Sequence, residues 1–116
     1  MSSNRFIKIG DKIVNLNQAQ ALIFSEETDK VYVASGTSPF HTNATKKEWN
    51  FVVSRLSKFP NDWIVEENSA FKVSSILFIK LTQNGEKKYE VCLSNYDYFY
   101  LDSEKNLDVI SSLLDN

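Results

Sequence analysis

The 116-residue sequence predicts an α+β protein, with antiparallel sheets built from two ββββα repeats and both helices packed on the sheets. Three observations lead there. Short alternating apolar segments, separated by turn residues, fill most of the chain. Helical periodicity appears in only two stretches, "TKKEWNFVVSRLSKF" and "SEKNLDVISSLLDN". The two helical stripes also recur at one spacing: Trp49 and Leu107, Val52 and Ile110, and Leu56 and Leu114 are all 58 residues apart.

Taken in order, "RFIKI" and "KIVNL" form a first hairpin around Gly10-Asp11. "ALIFS" and "KVYVAS" form a second, joined by Glu26-Glu27-Thr28-Asp29, and "SPFHT" reads as a short strand. The first helix opens with a capping box, Thr45 with Glu48, and Pro60 closes it. Its buried stripe is Trp49, Val52, Val53 and Leu56, at i, i+3, i+4 and i+7.

"FKVSSILFIKLTQ" reads as one long strand that turns at Asn84-Gly85 into "EKKYEVCLS". A two-residue loop there pairs Leu81 with Lys88 and Ile79 with Glu90 on one face. The other face pairs Lys80 with Tyr89, Phe78 with Val91 and Ile76 with Leu93; being mostly apolar, it is expected to face the core. The second helix has Ser103 as N-cap, Glu104 at the positive end of its dipole, and the stripe Leu107, Ile110 and Leu114.

The shared spacing divides a single domain into halves, 1–58 and 59–116. Phe51 and Val109 keep the same offset, and both lie about 200° around the helix from the stripe anchor. An apolar residue off the stripe in both helices calls for cover on a second side. Phe51 and Val109 are therefore the candidate self-association residues, and a homo-oligomer or a protein partner is expected.

This layout, with a polar cap followed by "KKEWNFVVSRL" (Lys46 to Leu56), resembles the Whirly family and the related positive-cofactor proteins. The resemblance implies tandem ββββα units and single-stranded-DNA binding. It is a resemblance of topology, so no functional residue carries over from it.

Composition narrows the classes further. Hydrophobic content of 42% with 24% charge belongs to a folded chain long enough to bury a core. Thirteen basic against fifteen acidic residues leave a net charge of −2, which argues against a free-standing duplex-DNA binder held by phosphate neutralisation. One cysteine, Cys92, excludes an internal disulfide and a cysteine-built metal cage. The N-terminal "MSSNRFIKIG" has no signal-peptide core, and no apolar run spans a bilayer, so a cytoplasmic protein without membrane contact is expected.

Nothing selects an enzyme. His41 and Cys92 are the only residues of their kinds, and no pattern places one beside the other. Glu26-Glu27-Asp29 and Glu66-Glu67 lack calcium-loop spacing, and the three glycines stand alone in separate turns. The expectation is a non-enzymatic interaction module without metal or cofactor.

The remaining candidate is "NYDYFYLD". Extended, it turns Tyr96, Tyr98 and Tyr100 to one side and Asp97, Phe99 and Leu101 to the other. Phe99 and Leu101 suit a core. The tyrosine row suits packing on a neighbouring element, a protein contact, or stacking of single-stranded nucleic-acid bases with Lys87 and Lys88 beside the phosphates.

Overall fold

In the computed structural model, which describes residues 6–36, 38–81, 88–94, 98–102, 111 and 113, the first hairpin forms as its letters require. β1 (Phe6–Ile9) pairs antiparallel with β2 (Lys12–Asn15), and Ile9 faces Lys12 across the Gly10-Asp11 turn. The next hairpin joins β3 (Ala21–Ser25) to β4 (Lys30–Ala34), with Ser25 opposite Lys30. Asp29 closes its four-residue loop in the left-handed region, at φ 52°. β5 (Phe40–Asn43) adds to β4.

Helix α1 (Lys46–Leu56) begins at a formed capping box. The Glu48 N–H donates to Thr45 Oγ1 at 3.1 Å, and the Thr45 N–H donates to Glu48 Oε1 at 3.0 Å. Two otherwise orphaned donors at the helix start are thereby satisfied. The helix buries Trp49, Val52 and Leu56, while Val53 packs at the margin of the core.

The chain forms two compact units, residues 1–75 and 76–116. In the first, β6 (Trp63–Val65) and β7 (Ser69–Lys72) complete a five-stranded antiparallel sheet of order β5-β4-β3-β7-β6. Hairpin, sheet and helix share one core: Ile7, Ile9 and Val14, then Leu22, Phe24, Val31 and Val33, then Trp49, Val52 and Leu56. Trp49 stacks on Phe24 with ring centroids 5.8 Å apart, and its indole N–H donates to the Glu67 carbonyl at 2.7 Å. Lys46 Nζ reaches Glu26 Oε1 and Asn68 Oδ1, each at 3.0 Å, so the helix start is tied to two turns. Lys72 Nζ donates to the Leu16 carbonyl and lies 5.5 Å from the Trp63 ring centroid; burial lowers its pKa, partly opposed by Asp62.

The second unit is a three-stranded antiparallel sheet of order β10-β9-β8, from β8 (Ile76–Leu81), β9 (Lys88–Leu93) and β10 (Tyr98–Asp102).

Two expectations are corrected here. The stretch read as one strand from Phe71 is broken by a 3₁₀ turn, Val73–Ser75, so β7 belongs to the first unit's sheet and β8 to the other. Five strands precede α1 rather than four, and β7 pairs with β3, which places the expected 58/59 boundary inside the first unit. Among the described residues α1 is the one complete α-helix, and with five strands ahead of it the ββββα unit does not describe the first half. A common spacing of apolar letters fixes helix phase, but it is silent on which strands exchange hydrogen bonds. Of the second expected helix, Ser111 and Leu113 have helical backbone; its other residues, Val109 included, lie outside the described residues.

The second correction is a register. Leu81 faces Tyr89, Lys80 faces Glu90, Ile79 faces Val91 and Phe78 faces Cys92, one residue away from the expected pairing. A bulge at Leu77 then restores Ile76 opposite Leu93. A one-residue slip moves every side chain to the other face. Phe78 and Lys80, expected in the core, are exposed.

Candidate functional site

The slipped register builds the site. Phe78, Cys92 and Tyr98 align in one row across β8, β9 and β10, and Lys80, Glu90 and Tyr100 form the next row on the same face. The opposite face carries Val91, Leu93 and Leu101, each 0% exposed. With one face buried, strand alternation leaves the first face open. Phe78 is 44% exposed, Tyr98 51% and Tyr100 58%, which makes three large rings on one sheet surface. Lys80 stands among them, and half-buried Glu90 lies between Lys80 and Tyr100.

Phe78 and Tyr98 meet edge to face, with centroids 6.4 Å apart and planes at 64°. Cys92 occupies the central position of that row and is fully buried; its thiol is 3.5 Å from the Leu93 carbonyl. A T-shaped pair of this kind adds roughly 0.5–1.5 kcal/mol beyond its buried area. The two rings therefore hold each other in place while keeping half their surface in water.

Of the residues singled out in the sequence, Tyr98 and Tyr100 share this open face. Tyr96 and Lys87 lie outside the described residues, as does the side chain of Lys88. Phe99 and Leu101 turn to the other face. Phe51 is 60% exposed on α1. Phe78 and Lys80 are the members that sequence reasoning missed. In "SILFIKL" four consecutive apolar residues hide the alternation, and only the bulge decides which of them faces out.

Other exposed aromatic groups are fewer per surface. Tyr32 and His41 sit opposite each other on β4 and β5, with rings 5.7 Å apart, and both are exposed. Cys92 is buried, which leaves its thiol without access to a reacting carbonyl. Among the described residues no three His, Cys, Asp or Glu side chains gather as metal ligands, and no helix is long and apolar enough to cross a membrane.

No family model and no curated protein matches the sequence. A solved structure does match the fold: the LytTr DNA-binding domain of a putative methyl-accepting/DNA response regulator from Bacillus cereus, at 14% identity, covering 94% of each chain with a TM-score of 0.59. This corrects the Whirly-type resemblance, which rested on a repeat that the strand pairing does not form. The mostly antiparallel sheets and α1 share the architecture of a LytTr DNA-binding domain, and at this identity the likeness is one of fold.

Proposed function

We propose that the chain is a non-enzymatic nucleic-acid-binding module whose contact surface is the open face of the three-stranded sheet. The observation that carries this reading is the cluster of half-exposed rings, Phe78, Tyr98 and Tyr100, with Lys80 among them. Every base has a π-face, and stacking on such rings contributes about 1–3 kcal/mol per base. The fold likeness to a DNA-binding domain supports the same partner class. With a net charge of −2, stacking contributes more to affinity than phosphate neutralisation does, which favours unpaired bases over a duplex.

Titration of a fluorescein-labelled oligo-dT, followed by anisotropy, tests this reading. Tyr98→Ala and Tyr100→Ala each weaken binding about tenfold or more at low salt. Both side chains are half exposed, so the fold survives their truncation. Wild-type affinity in both variants removes the sheet face from the reading.

A second reading puts a protein partner on the same surface. It is favoured by Glu90, which sets an anionic charge within the ring cluster, and by the suitability of tyrosine for protein interfaces.

A further inference from the structure

We propose that the outer face of α1, with the turn that follows it, is a phosphate-contacting surface for single-stranded nucleic acid, with Lys47 and Lys58 as its charges and Phe51 as its stacking ring; this rests on the nucleic-acid reading above. α1 places Lys47, Phe51 and Arg55 on one side, at i, i+4 and i+8, and Lys58 lies in the turn beyond the helix end at Leu56. Lys47, Asn50, Phe51, Ser54 and Lys58 are exposed, Phe51 by 60%, and Arg55 is half-buried. From Lys47 to Arg55 the face runs roughly 12 Å along the helix axis.

No acidic residue lies among those positions. Glu48, the acid of the first turn, is turned away: its carboxylate accepts the Thr45 N–H at 3.0 Å and the Gly10 N–H at 3.2 Å. Lys46 is turned away as well, onto Glu26 and Asn68. Among the described residues neither Lys47 nor Lys58 enters an ion pair. A strip of cations and small hydrogen-bonding side chains around one ring complements a polyanion that also carries bases.

Charge is distributed unevenly between the two units. Residues 76–116, which carry the aromatic sheet face, hold four basic and seven acidic residues, a net −3. Residues 1–75 hold nine basic and eight acidic, a net +1. The cations of the α1 face lie in the unit with the positive balance.

Salt dependence separates the two contributions. Wild-type affinity for labelled oligo-dT falls with salt, with log–log slope about −1.4 for two phosphate contacts on a single strand. Lys47→Gln/Lys58→Gln flattens that slope by about 1.4 and weakens binding about tenfold near 0.2 M salt. Phe51→Ser weakens binding several-fold at unchanged slope, and Tyr98→Ala weakens it about tenfold or more, also at unchanged slope. The exposed positions of Lys47, Phe51 and Lys58 keep the thermal midpoint of their variants at the wild-type value, whereas Tyr98→Ala lowers it by the loss of the Phe78 contact.

A double lysine variant with wild-type slope and affinity overturns the α1 proposal and leaves the sheet reading standing, provided Tyr98→Ala still binds weakly. A wild type that binds no oligonucleotide at the lowest salt overturns both. Sedimentation of wild type beside Phe51→Glu decides the competing occupant. A dimer that this substitution dissociates assigns the face to a second copy of the chain and overturns the phosphate surface.

Discussion

Residues 1–75 and residues 76–116 solve the same packing problem in different ways. The first unit sandwiches apolar side chains of three kinds of element, a hairpin, a five-stranded sheet and a helix, into one core. Its exposed rings, Phe6, Tyr32 and Phe51, lie on separate elements. In the second unit one sheet buries Val91, Leu93 and Leu101 on one face, and its exposed rings collect on the other. Once one face of a sheet carries the burial, the other is released from the core, and side chains there answer to partners. Stability is concentrated where elements converge, and recognition where a face is spare.

Trp49→Ala attacks that contrast hardest. The indole is fully buried, stacked on Phe24 and bonded to Glu67, so its loss costs about 3–5 kcal/mol. Both tryptophans lie in residues 1–75, so the remaining Trp63 emission reports that unit alone in a denaturant titration. A loss below about 1 kcal/mol would break the claim that this core holds the unit.

Gly10→Ala comes next. Gly10 sits at φ +61°, and an added Cβ would lie 1.8 Å from the Asn43 carbonyl oxygen. Left-handed strain and the clash together cost about 2–4 kcal/mol, and the midpoint for Trp emission moves to lower denaturant. An unchanged midpoint would show that the β1–β2 turn adds little to the unit.

Glu48 sharpens the picture at low pH, with the smallest effect. The Thr45 N–H holds its carboxyl below the ordinary glutamate range; burial opposes it as the next-largest effect, and the Thr45 hydroxyl, the Gly10 N–H and Lys8 add to the lowering. Asp11 is lowered too, first by the Thr42 hydroxyl at 3.2 Å and then by Lys12. A depressed folded-state pKa means stability that is present above the unfolded value, about 4.3 for glutamate, and lost as pH falls through the lowered folded value. Glu48→Gln flattens that part of the acid limb of the stability profile. An acid limb identical to wild type would assign the pH response elsewhere.

Local chemistry was the legible part of this chain. Gly10-Asp11, the four-residue loop before Lys30 and the Thr45–Glu48 box each declare themselves within a few letters, and the strands and helix bounded by them form where expected. Long-range pairing was not legible. β6 has three residues, too few to alternate, and β7 finds β3 across more than forty intervening positions by setting Ala70 opposite Leu22. The orientation of Tyr98 and Tyr100 follows from alternation alone. The orientation of Phe78 and Lys80 depends on a register that shifts at Leu77, within a run of four apolar residues where alternation cannot be read.

The ring pair spanning the central strand has a chemical corollary. A sulfur atom with no solvent contact, in the row that Phe78 and Tyr98 bracket, cannot meet an alkylating reagent while the strands stay together. The labelling rate of Cys92 is then a clock for the opening of β8, β9 and β10, and a bound strand lying over those rings slows that clock.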